Sequence, residues 1–249
     1  MKNLEKKVLI FIVEGANDEV ALGMPLENLQ KSYAPDSAIR LGVTHGDITS
    51  DREVSDVSHE VTKRVREYCK QYSLKKSDIF KVVHLLDMDG AYIHSDAIVQ
   101  NDDYEKAFYG ESTIVHISPD RMRKTHERKR RNVDKLINLK KTWSDIPYSV
   151  YFVSCNFDHV ACGNANLTER SKSKAADAFL LKFGKNAEGF ISFFYSPELI
   201  IGETFSASWD AIRQGLNSLH RYSNLNVFIN THYPKATCKE YIYQQDGII

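Results

Sequence analysis

The stretch that decides the fold is Val8-Leu9-Ile10-Phe11-Ile12-Val13, an apolar run followed directly by Glu14-Gly15. A short run rich in Val and Ile and bounded by glycine is typical of a strand that is buried on both faces of a parallel sheet. A second run of this kind covers residues 80–86 and ends in Asp87-Met88-Asp89-Gly90. Because the carboxyl ends of parallel strands meet at one edge of a sheet, both acidic motifs are expected at that edge.

Strand and helix patterns alternate around these two runs. A helix is expected to start near Asn17 and to be kinked or split at Pro25, and a second strand is expected over residues 38–44. An amphipathic helix is predicted over residues 51–72 and a fourth strand over 112–117. This order predicts an α/β fold, a parallel Rossmann-like sheet with right-handed crossovers and helices on both faces.

The pattern changes after Pro119. A basic helix is predicted over residues 120–141, followed by a strand over 148–154, after Pro147. A helix capped by Thr168 is predicted over 167–183, and a further helix over 205–222. The expected domain organisation has three parts: an α/β core at 1–118, a basic helical segment at 119–145 and a C-terminal α/β elaboration at 146–249. The strand at 148–154 leaves open that the sheet continues into the third part.

Composition favours a soluble globular protein, with 42% hydrophobic and 27% charged residues among 249. The formal net charge is +0, but residues 120–141 contain ten Lys or Arg and only three Asp or Glu. Such a separation of charge is typical of a protein that binds a polyanion. The four cysteines show no C-x-x-C spacing, which argues against a zinc ribbon. No signal peptide or membrane-spanning run is apparent, so a cytoplasmic protein is expected.

The two acidic motifs resemble those of the Toprim family, the catalytic domain of topoisomerases, primases and several nucleases. Residues 13–19, Val-Glu-Gly-Ala-Asn-Asp-Glu, and residues 86–90, Leu-Asp-Met-Asp-Gly, fit the two patterns of that family in the right order. The resemblance implies a Toprim core with an Mg²⁺ or Mn²⁺ site. It implies catalytic roles for Glu14, Asp87 and Asp89, and metal binding by these three together with Asp18.

Two further groups of residues are candidates for the site. The basic helix supplies the predicted nucleic-acid contacts, since Lys and Arg neutralise phosphates without reading sequence. These contacts are Arg121, Arg123, Lys124, Arg128, Lys129, Arg130 and Arg131. A solvated basic helix is the alternative interpretation. Asp158 and His159 are possible accessory residues, in a stretch that loosely resembles standalone Toprim proteins of anti-phage systems; a structural pair is the alternative.

The leading functional hypothesis is a metal-dependent endonuclease that cuts DNA or RNA, with tRNA among the candidate substrates. The resemblance to abortive-infection Toprim effectors implies a role in phage defence and a separate ATPase partner, with a homo-oligomer as a further option. One alternative is a haloacid-dehalogenase-like phosphatase, because Leu85 to Gly90 also looks like the nucleophile loop of that family. Another is a Toprim-like module that only binds nucleic acid or a partner.

Overall fold

The structure is a computed structural model that describes residues 7–35, 37–49 and 56–237. Its strands are β1 (Lys7–Val13), β2 (Ile39–His45), β3 (Ile79–Asp87), β4 (Ile98–Gln100), β5 (Phe108–Tyr109), β6 (Ile114–His116), β7 (Lys141–Thr142) and β8 (Ile146–Val153). The main sheet has the order β2-β1-β3-β8-β7, in which the first four strands are parallel and β7 is antiparallel to β8. A second, small sheet has the order β4-β6-β5.

The α-helices are α1 (Ala16–Tyr33), α2 (Val57–Gln71), α3 (Pro119–Asn138), α4 (Phe157–Cys162), α5 (Glu169–Phe183), α6 (Ala187–Phe194), α7 (Phe205–Ile212) and α8 (Leu225–His232). They cover both faces of the main sheet. Within the described ranges, no helix combines the length and the apolar character that crossing a bilayer requires.

The interior strand β1 shows why the sheet is buried on both sides. Leu9, Phe11 and Val13 pack into one apolar cluster with α1, α5, α6 and α8. Ile10 and Ile12 pack into a second cluster with α2, α3 and α7. Successive side chains of a strand point to opposite faces, so a strand that is apolar throughout needs a helical layer on each. Full burial of such side chains stabilises the fold by about 1.5–3 kcal/mol each.

The predicted α/β fold with a mostly parallel sheet and flanking helices is confirmed. The predicted fourth strand of the sheet is wrong, because residues 114–116 pair with β4 and β5 in the small sheet. The fourth parallel strand is instead β8, which pairs with β3 over six residues, from Tyr148 to Val153. Thus the main sheet continues into the part of the chain assigned to the elaboration, while the proposed domain boundaries stay predictions.

Three helix predictions have different outcomes. The α5 helix begins after its N-cap Thr168, whose side chain accepts a hydrogen bond from the Ser171 amide, as expected. The α1 helix runs without interruption through Pro25, so the predicted split is wrong. The buried Pro25 packs on the core side of α1, where tertiary contacts outweigh the lost backbone hydrogen bond. The helix predicted over 205–222 ends at Ile212, and positions 51–55 lie outside the described residues.

Candidate active site

The carboxyl edge of the main sheet opens into a cavity of about 830 Å³. Glu14 directly follows β1, Asp87 ends β3, and Asp47 lies two residues beyond β2. All three line the cavity, together with Asp18 and Asp89. The structure therefore brings the four predicted metal ligands to one place, because parallel strands present their carboxyl ends at the same edge.

Glu14 is fixed by a hydroxyl and a cation. Thr49 Oγ1 donates a hydrogen bond to Glu14 Oε1 at 3.0 Å, and Lys129 Nζ lies 3.4 Å from Oε2. The Glu14 side chain is only 10% exposed. Burial raises the pKa of Glu14 to about 8, against the lowering effect of Lys129, and the nearby charge of Asp47 adds to the rise. Lys129 alone therefore does not offset the cost of burying the ionised form of Glu14.

Asp87 is in the same situation on the next strand. Its Oδ1 accepts a hydrogen bond from the backbone amide of Phe157 at 3.2 Å, at the start of α4. Burial raises the pKa of Asp87 well above its usual value, and the charge of Glu14 raises it further. Two carboxylates at one buried edge repel each other, so a bound cation would stabilise both.

Asp89 and Gly90 form the turn that leaves β3. Both have left-handed backbone conformations, with φ of +48° and +66°, which Asp tolerates and Gly favours. A Cβ atom at Gly90 would lie 2.6 Å from Ile114 Cδ1. The absent side chain therefore makes room for the small sheet.

Lys129 joins the two acidic motifs, although the sequence predicted it as a nucleic-acid contact. Its side chain is 1% exposed and lies between Glu14 and Asp89, and its Nζ contacts a carboxyl oxygen of each. The charge of Asp89 and then that of Glu14 raise the pKa of Lys129, outweighing the opposing effect of burial. Tyr109 completes this arrangement by donating from its hydroxyl to Asp89 Oδ1 at 3.3 Å.

The other predicted basic contacts divide by the direction in which α3 presents them. Arg123 donates to the backbone oxygens of Ser95 and Ile98, and Arg130 donates to that of Ala91, so both brace the chain after β3. The remaining residues lie at the surface or in clefts. Arg121 and Arg128 line a second cavity that also contains Asp89, Lys124 is exposed, and Arg131 is exposed beside Arg213.

Asp18 has a structural task in addition to its place in the cavity. Its Oδ2 accepts the Gly15 amide at 2.9 Å, which caps the first turn of α1. Burial raises the pKa of Asp18 to about 6, against the lowering effect of that hydrogen bond, and the charge of Asp158 adds to the rise. If Asp18 acts as a metal ligand through Oδ2, this oxygen must share or give up the capping hydrogen bond.

The two accessory candidates are separated. Asp158 lines the main cavity and lies 3.9 Å from Lys172 Nζ. His159 is not among the residues that line it. The His159 backbone oxygen accepts from Arg221, and burial together with the charge of Arg221 lowers the pKa of its imidazole. The structure thus keeps only Asp158 near the acidic edge.

Several residues of the cavity were not predicted from the sequence. Asp47 could have been found, because it follows a strand that was predicted, at the same edge as the two motifs. Thr49 and Tyr109 could not, since their contacts with Glu14 and Asp89 depend on how a loop and the small sheet fold back. Asn166 belongs with them, as it clamps the backbone of Tyr109 with two hydrogen bonds of 2.8 Å.

The donor set suits a hard divalent cation, although the side chains are not arranged as ligands. Among the described residues, no group of three or more His, Cys, Asp or Glu is positioned to hold a metal ion. The reason is visible at Glu14 and Asp89, whose oxygens meet Lys129. Carboxylate oxygens are the ligands that Mg²⁺ takes in proteins, and burial together with neighbouring negative charges raises the pKa values of Glu14 and Asp87. By this chemistry the residues fit such a cation.

Comparison with known proteins adds no family to this picture. No protein-family model matches the chain, and no curated protein matches it. The resemblance to Toprim enzymes therefore rests on the two acidic motifs and on their positions in the sheet.

Proposed function

We propose that this protein is a metal-dependent nuclease of the Toprim type, which hydrolyses phosphodiester bonds of DNA or RNA with Mg²⁺ or Mn²⁺. The observation that supports it is the convergence of Glu14, Asp87 and Asp89 on one cavity, with Lys129 buried between two of them. Acids at this edge are costly to bury without a counter-charge, so their accumulation calls for a chemical reason.

The charge of the cavity is the strongest argument for a cation. Among the residues that the structure describes, two lysines and seven acids line it: Lys106, Lys172, Glu14, Asp18, Asp47, Asp87, Asp89, Asp158 and Glu169. A phosphodiester that approached this set alone would be repelled, because like charges in a partly enclosed cavity interact more strongly than in open water. A polyanionic substrate and this cavity are compatible once divalent cations neutralise the acids.

The residues of the chain then have separate tasks. A bound divalent cation supplies polarisation of the scissile phosphate and a lowered pKa of an attacking water. Glu14, Asp87 and Asp89 would hold it, with Asp18 as a further ligand. Thr49 orients Glu14, and Tyr109 orients Asp89, so both carboxylates are fixed before substrate arrives. Lys129 places a buried positive charge beside the cluster, where negative charge on a reacting phosphate would be stabilised.

The test is to incubate the pure protein with Mg²⁺, Mn²⁺ or EDTA and with DNA, RNA and tRNA, and separately with p-nitrophenyl phosphate. Cleavage of a nucleic acid that requires the metal is the expected result. Release of p-nitrophenol without nucleic-acid cleavage would favour the dehalogenase-like phosphatase instead. Binding of nucleic acid without turnover under every metal condition would leave a binding module and contradict the nuclease.

The resemblance extends the proposal to biology. The protein would act in the cytoplasm as an effector of phage defence, held or released by a separate ATPase. Affinity purification from the native cell, followed by mass spectrometry, tests this part. Recovery of an ATPase that suppresses the nuclease is expected, whereas recovery of only the monomer or a homo-oligomer with full activity would contradict it.

A further inference from the structure

An aromatic pair lines the main cavity. The rings of Tyr104 and Phe108 lie 5.1 Å apart, centroid to centroid, at an interplanar angle of 54°. The exposed side chain of Lys106 lies between them in sequence. All three residues line the same cavity as Glu14 and Asp87. Two aromatic rings, a cation and the acidic cluster therefore share one continuous surface.

The backbone that carries this pair is held firmly, while Phe108 itself is not used in the core. Phe108 is 38% exposed and begins the two-residue strand β5, next to the clamped Tyr109. The backbone of Tyr104 accepts from the Ile117 amide at 2.7 Å. Phe108 therefore offers an exposed aromatic surface on a hydrogen-bonded segment of backbone, which limits the ordering cost of binding a ligand.

The chemistry of the three side chains matches an unpaired nucleotide. Every base has a π-face that stacks on aromatic rings, and a neighbouring cation contacts the phosphate backbone. Proteins that read single-stranded nucleic acid use this combination of splayed bases and aromatic side chains. In a duplex the base faces are already stacked on each other, so the pair would find no free face to bind.

The size of the cavity supports the same substrate class. A volume of about 830 Å³ lies in the range that encloses a molecule of drug size, which suits a nucleotide and not a stacked duplex. The two hydrogen bonds between Asn166 and the Tyr109 backbone tie the small sheet to the segment before α5, and both residues line the cavity. A cavity of this size accommodates an unpaired nucleotide next to the acidic edge.

We propose that Tyr104, Lys106 and Phe108 form a subsite that selects single-stranded nucleic acid, by stacking an unpaired base beside the acidic cluster. This inference rests on the proposed nuclease function and deepens it by naming the substrate class. Phe108 and Tyr104 stack the base, Lys106 contacts the adjacent phosphate, and Tyr109 fixes the strand that presents Phe108.

The experiment measures binding separately from cleavage. Glu14→Gln protein in Mg²⁺ is titrated, by fluorescence anisotropy, against labelled single strands of DNA and RNA and against the matching duplexes. Single strands are expected to bind more tightly. Adding Phe108→Ala should weaken single-strand binding about tenfold, the loss of one stacked base, and leave duplex binding unchanged. Phe108→Trp should restore the affinity.

Phe80→Ala is the matched control, because Phe80 is 45% exposed at the amino end of β3, away from the cavity. It should bind as the parent does. Lys106→Glu should lower the slope of log affinity against log salt by about one, whereas Phe108→Ala should leave that slope unchanged.

Two results would overturn the inference, and they differ. Equal binding of single strands and duplexes with no effect of Phe108→Ala, while the wild type still cuts nucleic acid, would overturn the subsite and leave the nuclease intact. Failure of the wild type to cut and of every form to bind any nucleic acid would overturn both.

Discussion

The acidic sheet edge and the basic helix α3 are both dense in charge, yet the fold treats them differently. At the sheet edge, Glu14, Asp87 and Asp89 arrive from two strands and line a single cavity. Along α3 the cations spread over several sides, from the buried Lys129 to the exposed Lys124. Parallel strands end at one edge, whereas a helix turns each successive residue by 100°.

The comparison teaches that a run of like charges on a helix does not make one surface. Arg123 and Arg130 bind backbone oxygens, and Lys129 belongs to the acidic cluster. Only the remaining members of the predicted set are placed to meet a polyanion.

Removing a carboxylate from the acidic edge should have the largest effect on activity. Glu14→Gln and Asp87→Asn each keep the side-chain shape and remove the charge that a metal requires. We expect the rate of nucleic-acid cleavage to fall at least about 100-fold, since a lost metal contact costs several kcal/mol in the transition state. Asp18→Asn should be milder. Single-turnover cleavage measures the rates, and wild-type rates in either purified variant would contradict the site.

Removing the buried cation should have the largest effect on stability. Lys129→Met leaves Glu14 and Asp89 without their shared partner, and such a loss costs about 3 kcal/mol. In a chain of this size that corresponds to a fall in melting temperature of about 10 °C. Lys124→Met, an exposed lysine on the same helix, is the control and should change stability by less than about 0.5 kcal/mol. Equal melting curves for the two variants would show that the buried Lys129 contributes no more to stability than the exposed Lys124.

The acidic edge should also make stability depend on pH. Between pH 4.5 and about 8, Glu14 is protonated in the folded chain and ionised in the unfolded chain. The folded state therefore binds more protons in this window, so the free energy of unfolding should fall as pH rises through it. Asp18 acts in the same direction between pH 3.8 and about 6.

Mg²⁺ should oppose this fall, because it binds the ionised carboxylates. Thermal melts in EDTA and in Mg²⁺ across pH 5 to 8 measure both effects, and the stabilisation by Mg²⁺ should be greatest near pH 8. Glu14→Gln should flatten the dependence on pH. A Mg²⁺ effect that is equal at all pH values, or absent, would contradict a cation at these carboxylates.

The smallest effect is expected on the basic helix. Arg121→Glu, beside the cavity that contains Asp89, should weaken nucleic-acid binding for all sequences and reduce the salt slope by about one. Arg131→Glu, ten positions along on another side of α3, should change both less. Anisotropy titrations at several salt concentrations distinguish the two. Equal effects would mean that α3 acts as one continuous basic surface after all.

The sequence by itself determined the α/β class and the edge at which the acidic motifs meet. Apolar strands of six or seven residues, alternating with helices, have few ways to be buried other than in a parallel sheet between two helical layers. Glu14 and Asp87 follow such strands directly, so their placement depends on local order and on the handedness of crossovers. The N-cap at Thr168 was equally local and was predicted correctly.

Tertiary structure alone decided which residues complete the site. The small sheet brings Tyr109 to Asp89, and the packing of α3 on the sheet brings Lys129 between two acids that are far from it in sequence. The fourth parallel strand, β8, replaced the one expected at 112–117 for the same reason. Each of these contacts joins two segments that are far apart in sequence, and the pattern of one segment does not predict the other. The contacts are selected only when the chain packs, because buried charges must be paired and exposed strands must be covered.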